Sequence, residues 1–322
     1  MRMLQVCNVG RITGGTAACA WTIARSLPEV THTVVFLSRT TAETRAAFAD
    51  CRIEQWAQVT PESVTSCAAD LVILHNASAR RVAGPLPAAT VLYQHSYITP
   101  AANDLTVYCS RWLAEQCGAG KDAVLYQAVP LPTERNGRFD TRSLRESPVV
   151  GRLCTPTRRK WPVELVAFYA ELAQRHPEVS WEFVGCPDTL QSPLNAACGG
   201  RAQFFPASWS ARDRLWHWDA LLYHHPTLTE SFGRTAAEAL RAGCIPIVDR
   251  RGGFIEQIAE GCGHLCTSIE EFSAALGTLD DHGQKLRQSR ACRAHGDRWF
   301  SLERFRGEFL RRLQRLTTGE FA

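Results

Sequence analysis

Residues 225–249 read HPTLTESFGRTAAEALRAGCIPIVD, and the rest of the chain is organised around this stretch. Pro226 and Thr227 break the apolar run before them, and Ser231 is a fair helix N-cap. Gly243 stands where a helix ends, ahead of the strand-like Cys244-Ile245-Pro246-Ile247-Val248. The order is strand, loop, helix, glycine stop, strand. Such a helix start offers unpaired backbone N–H groups and the positive end of a dipole, and Gly233 is expected to let a ligand approach the main chain. An anion suits that environment. Two carboxylates, Glu230 and Glu238, flank the helix opening.

A plain structural account exists for the same residues. Arg234, Glu238 and Arg241 fall on one helical face and can form a solvated ion-pair stripe opposite Phe232, Ala236 and Leu240. Against it stands the unbroken order of Pro226, Glu230, Ser231-Phe232-Gly233, Glu238-Ala239-Leu240 and residues 242–248. This order resembles the E-x7-E signature of glycosyltransferase family 4, a group of retaining GT-B enzymes. The resemblance implies that Glu230 contacts the transferred sugar and that Glu238 holds the ribose hydroxyls of a nucleotide-sugar. A carboxylate suits both tasks, because it only accepts hydrogen bonds and can bind two neighbouring hydroxyls at once.

A length of 322 residues, 45% of them hydrophobic, suggests two domains with separate cores. Basic residues exceed acidic ones by only 4, too small a bias to indicate nucleic acid and compatible with a small anionic ligand. Residues 1–10 read as a strand entering a Gly-rich turn, without a leader pattern, and no apolar run is long enough to span a bilayer. The expectation is a cytoplasmic protein. Thirteen scattered cysteines argue for free thiols and against a disulfide framework. Cys262, His264, Cys266, Cys292 and His295 offer soft donors, but their spacing matches no zinc-finger pattern, so no metal site is assigned.

From the start, residues 4–9 read as a buried strand, residues 11–16 as a turn and residues 17–27 as a helix, the opening of a Rossmann-like unit without G-x-G-x-x-G. Strands follow at 33–38, 71–75 and 90–94, with a helix at 40–50, and alternation of this kind implies a parallel, doubly wound sheet. Ligands then lie beyond the carboxyl ends of the strands, where His75 and His95 fall. By the family resemblance, Gly14 and Gly15 line the site near donor phosphates or an anionic acceptor, and His95 is the active-site histidine, with His75 in reserve. By the same resemblance, residues 104–110 match the family's strand ending in serine, 111–117 the helix after it and 123–130 its next strand. Where the family often has Asn-Gly, this chain has Gln127-Ala128.

Residues 133–147 are polar and charged, the best stretch for an interdomain linker. A second α/β series begins at strand 149–153, continuing with a helix at 163–175 and strands at 180–185 and 203–205. Here Arg152 and Lys160 resemble the family's diphosphate-binding pair; without the resemblance they read as a basic loop with Arg158 and Arg159. Trp209, Trp216 and Trp218 are expected to pack in the core. Gly252-Gly253 resembles the family's Gly-Gly turn before a helix. Near the end, Leu302, Phe305, Phe309, Leu313 and Leu316 recur at helical spacing beside several arginines, a face for packing on the protein or for an anionic membrane surface.

The resemblance implies an α/β GT-B fold, two Rossmann-like doubly wound parallel-sheet domains facing a central cleft. Residues 1–140 would bind the acceptor, residues 148–300 the nucleotide-sugar, and the helix of residues 301–322 would cross back to the first domain. The donor-binding set comprises Gly14, Gly15, Arg152, Lys160, Glu230, Ser231, Phe232, Gly233 and Glu238, with His95 and Glu230 catalytic. The implied reaction moves a sugar from a UDP- or GDP-linked donor to an acceptor hydroxyl with retention, with no cofactor beyond the donor and no metal. The acceptor, whether glycan, small molecule or lipid-linked, is left open, as is peripheral membrane contact. Alternatives are a non-catalytic nucleotide-sugar-binding protein, or another enzyme of the fold such as an epimerase or phosphorylase.

Overall fold

The computed structural model describes residues 1–131 and 147–318. The chain forms two compact units, Met1–Val129 with Phe300–Ala322, and Pro130–Trp299. All but Ser147 of the expected linker at residues 133–147 lies outside the described residues.

In the first unit the strands are β1 (Arg2–Cys7), β2 (Thr31–Phe36), β3 (Arg52–Gln55), β4 (Leu71–His75), β5 (Ala89–Gln94) and β6 (Leu105–Tyr108), in the spatial order β3-β2-β1-β4-β5-β6. Every pairing is parallel. The central strands are buried on both faces, which is why they read as near-continuous apolar runs. Leu4, Val6, Val35, Val72, Leu74 and Leu92 share one core cluster. The alternate positions of β1, including Gln5, project to the opposite face.

The helix Gly15–Ser26 packs on β1 and β4, and the terminal helix Leu302–Thr318 packs on it in turn, with Phe305 and Phe309 buried. Two arginines of that last helix are engaged within the unit. Arg306 donates to the Ser26 carbonyl at 3.0 Å and to Glu29 at 2.8 Å, and Arg312 donates to the carbonyls of Asp122 and Val124. No helix among the described residues is long and apolar enough to cross a membrane.

The second unit contains β7 (Val149–Leu153), β8 (Ser180–Val184), β9 (Ala202–Phe205), β10 (Ala220–Tyr223), β11 (Ile245–Asp249) and β12 (His264–Cys266), again all parallel, in the order β12-β11-β10-β7-β8-β9. Both sheets therefore reverse direction of growth beside their first strand, between β1 and β4 and between β7 and β10. Such a switch point opens a crevice at the carboxyl ends of the strands. The sequence puts the residues that matter there. Arg152 lies on β7, Tyr223 ends β10, and His75 ends β4.

Three local expectations are corrected. Residues 123–130 form no strand: a short helical turn covers Lys121–Ala123, and the Leu125 carbonyl accepts from the Tyr93 hydroxyl at 2.6 Å. Val129 N–H meets the Phe300 carbonyl at 3.0 Å, so this segment is tied down bond by bond rather than by a ladder. β3, a polar edge strand, and β12, only three residues long, carry too little alternation to be read as strands. Ser231 is not the N-cap either; Gly233 is, at a φ of 85° that glycine adopts without steric cost. Of the three tryptophans, Trp216 and Trp218 are buried and Trp209 is half-buried, with Arg212 over its ring.

Gly151 shows how tightly the second sheet is covered, since a Cβ there would come within 2.1 Å of the Trp218 indole. Trp218 is pinned in place, donating to Glu182 at 2.6 Å. Gly151→Ala should therefore destabilise the protein by about 1–3 kcal/mol through overpacking. Chemical denaturation of the two proteins measures this, and a cost near zero would mean that Trp218 moves aside freely.

Candidate functional site

At the β7–β10 switch point of the second unit, two side chains converge on one carboxylate oxygen. Lys160 Nζ and the Tyr223 hydroxyl both donate to Glu230 Oε1, in bonds shorter than ordinary ones. Lys160 and Glu230 are each partly exposed, with 15% and 18% of their side chains open to solvent. The loop carrying Lys160 is anchored from two strand ends. Arg152 donates one guanidinium N–H to the Lys160 carbonyl and another to the His224 carbonyl, both at 2.8 Å. His225 Nε2 donates to the Arg159 carbonyl at 2.8 Å.

His225 does a second job. Its Nδ1 accepts from the N–H groups of Thr227 and Leu228, at 3.2 and 2.7 Å, so the ring is a neutral Nε2–H tautomer that shapes the loop leading to Glu230. Burial, the main cause, depresses its basicity in keeping with that state. Asp249, at the end of β11, completes the frame by accepting from His225 N–H at 2.8 Å and pairing with His224 and Arg251.

Burial pushes the Glu230 carboxyl upward, but the Lys160 charge and hydrogen bond and the Tyr223 hydroxyl outweigh it and leave the group below its ordinary value. Glu230 is therefore an ionised acceptor. The Tyr223 phenol moves the other way, raised by burial and by the negative neighbourhood, and stays a donor. Tyr223 was not legible as a site residue, because an aromatic at the end of an apolar strand gives no signal beyond core packing.

Arg152 departs from its expected role. Its side chain is wholly buried, its guanidinium lies against the faces of Trp161 and Tyr223 at 5.0 and 4.7 Å, and it grips carbonyls rather than facing solvent. It positions Lys160. Gly233 also differs from expectation: a Cβ there would meet the Phe254 ring at 2.3 Å, so the glycine is required by that packing as well as by its φ. Gly252 and Gly253 let a second turn press on the same loop, with Gly253 N–H bonding the Glu230 carbonyl at 2.9 Å.

Ser231 is partly exposed, whereas the Phe232 side chain is buried and its carbonyl accepts from Gln257. Glu238, one turn into the helix Arg234–Ala242, is buried, and Arg234 lies 3.8 Å from it. The solvated stripe suggested for this helix is not found, since Glu238 and Arg241 are both buried.

The first unit holds Gly14, Gly15 and His95. Gly14 caps the helix Gly15–Ser26, and His95 follows β5. His95 belongs to a buried hydrogen-bond chain whose polarity is fixed from one end. His32 Nε2 bonds the Leu27 carbonyl at 3.0 Å and must donate, leaving Nδ1 to accept from the Gln5 amide at 3.3 Å. Gln5 Oε1 then accepts from His75 Nε2 at 3.0 Å, and His75 Nδ1 accepts from His95 Nε2 at 3.2 Å. His95 Nδ1 finally accepts from Gln127 at 2.8 Å. Burial holds His75 down to about 3 and lowers His32, so both rings are neutral near pH 7. Gln127, the departure from the family pattern, is thus in direct contact with His95. Gln5, His32 and Gln127 were not legible as partners, because no spacing in the sequence brings them together.

No family model matches this sequence, and no curated protein matches it either. Solved structures do. HepE from Anabaena, crystallised with UDP-glucose, superposes with a TM-score of 0.76 at 17% identity over 98% of this chain and 99% of that one. A glycosyltransferase from Rickettsia africae gives 0.75 at 14% identity, with 98% of each chain covered. WaaG, a glycosyltransferase of lipopolysaccharide biosynthesis, gives 0.65 at 13% identity over 94% of this chain and 97% of its own. With its two six-stranded parallel sheets, the chain has the GT-B fold of these glycosyltransferases.

The depressed Glu230 carboxyl makes a pH-dependent prediction. A group whose folded value lies below its unfolded one contributes stability that is complete above the unfolded value, 4.5 for this carboxyl, and is lost as pH falls through the lower folded value. The melting-temperature difference between wild type and Glu230→Gln should therefore be full at neutral pH and shrink only in acid below pH 4.5. A difference that does not change across this range would show that Glu230 gains nothing from Lys160 and Tyr223.

Proposed function

We propose that this chain is a glycosyltransferase that moves a sugar from a nucleoside diphosphate donor to an acceptor hydroxyl. The observation that carries the reading is the Lys160–Glu230–Tyr223 cluster at the switch point of the second unit, an ionised carboxylate and a cation held ready where sheets of this kind bind ligands. Neighbours of the same fold, among them HepE crystallised with UDP-glucose, support it.

In this reading Glu230 accepts hydrogen bonds from sugar hydroxyls, and Lys160 exchanges its carboxylate partner for the donor diphosphate. The N–H groups of Ser231 to Gly233, just ahead of the helix that Gly233 caps, serve the same charge, and Glu238 holds the ribose hydroxyls. Arg152 acts through the Lys160 carbonyl. In the first unit Gly14 and Gly15 serve an anionic group and His95 serves the sugar, exchanging its Gln127 contact for a hydroxyl. Retention follows from front-face attack, in which the departing phosphate takes the acceptor's proton and no enzymic nucleophile forms a bond. Lys160 and the helix start stabilise the charge developing on the diphosphate, and no divalent metal is required.

A panel of uridine, guanosine, adenosine and thymidine diphosphates should contain one that raises the melting temperature. At about one hundred times its dissociation constant, a ligand that binds only the folded state stabilises it by about 2.7 kcal/mol. Glu238→Ala should weaken that nucleotide by about 1–3 kcal/mol, and a shift with no member of the panel would remove the donor site. With the sugar donor and an acceptor, Glu230→Gln and His95→Ala should lower kcat more than they weaken the free diphosphate, and EDTA should leave turnover intact. Binding of the nucleotide-sugar with neither hydrolysis nor transfer would identify a non-catalytic binding protein instead.

A further inference from the structure

We infer that the first unit contains a binding site for a thiophilic divalent cation such as zinc, built from Cys19, His75 and His95. One donor atom of each of these residues lies within 4.8 Å of the others. The His75 Nδ1 to His95 Nε2 distance is 3.2 Å, close to the span of about 3.3 Å between two nitrogens bound to one zinc at about 2.0–2.1 Å in tetrahedral geometry. Cys19 adds sulfur from the helix Gly15–Ser26, and a borderline-soft set of two imidazole nitrogens and one thiolate favours zinc over magnesium or calcium. Three protein donors leave a fourth position for water or another ligand.

The surroundings of His75 are already those of a metal ligand. Metal-bound histidines hold their other ring nitrogen on an acceptor, which fixes the tautomer. His75 does so now, donating from Nε2 to Gln5, which is held by His32, itself fixed on the Leu27 carbonyl. The Nδ1 lone pair of His75 thus points at His95 without any rearrangement. His95 lies beside Gln127, and a half-turn of that amide presents its oxygen to a proton on Nδ1. On binding, the cation replaces the proton on His95 Nε2, which is restored on Nδ1. The Cys19 thiol loses its proton to solvent, a net release of one proton per ion.

The site shares His95 with the proposed transfer reaction, in which no metal takes part. Only one consequence rests on that reading: a bound ion withdraws His95 from the sugar and so inhibits.

Cobalt(II) is the probe, titrated into the reduced full-length chain without nucleotide and followed by its visible absorption. One equivalent should produce the intense spectrum of a tetrahedral site with a thiolate-to-cobalt band, and zinc should displace it. Cys19→Ser should lose the thiolate band, and Gln5→Ala should weaken cobalt by about 10- to 100-fold, the loss typical of removing an outer-shell partner. Cys262→Ser, in the second unit, should leave the spectrum unchanged. A thiolate band retained in Cys19→Ser, or cobalt uptake with no such band in wild type, overturns the site. If Cys19→Ser does not melt cooperatively, the partly exposed His95→Gln takes its place, and an unaltered spectrum there overturns it equally. Because no substrate is present, failure here leaves the transferase reading untouched, and failure of the nucleotide panel leaves the metal site untouched.

Discussion

The buried guanidinium of Arg152 is the constraint on which the second unit depends. An ion of that size is taken out of water only at a cost of several kcal/mol, and no described carboxylate pairs with it to offset that cost. What it has instead are two backbone carbonyls at 2.8 Å and the faces of two aromatic rings. The carbonyls belong to His224, just past β10, and to Lys160, in the loop after β7. One side chain thereby locks together the two loops that flank the switch point. Replacing it with lysine would keep the charge and lose the fork that reaches both oxygens.

The first unit solves a similar problem with neutral groups. A row of buried imidazoles and amides is stable only if each lone pair meets a proton, and here the Leu27 carbonyl sets the sense of the whole row from one end. The state of His95 is therefore decided by residues as far along the chain as His32 and Gln5. Both roles proposed for His95, toward a hydroxyl and toward a soft cation, ask for a histidine whose second nitrogen is committed.

Much of this architecture was legible in the sequence. Strands with buried faces, such as β1, β4 and β5, announce themselves as apolar runs, and Gly243 marks the helix end through its left-handed conformation, with φ at 66°. The gathering of Lys160 beside Glu230 could be expected from the motif resemblance, although the residues are 70 positions apart. What sequence does not carry is direction. The family resemblance makes Arg152 a ligand-facing cation, and charge alone does not say whether a side chain turns outward or beneath its own loop. Tyr223 carries no signal for the same reason, and Gln127 stands out only as a departure from the family pattern, since a strand-end tyrosine and a loop glutamine acquire meaning only through the partner they meet.

Arg152 and Lys160 contrast in how freely each can change partners. A wholly buried arginine cannot exchange its carbonyl partners without exposing two main-chain oxygens and itself. The Lys160–Glu230 pair is partly exposed and can exchange. Its desolvation is incomplete, so in the proposed reaction an arriving anion would take the ammonium while sugar hydroxyls take the carboxylate. The Tyr223 hydroxyl keeps its proton and donates to Glu230 Oε1, because burial raises the phenol above its ordinary value. The fixed charge holds the loop, and the exchangeable pair is the part proposed to meet the ligand.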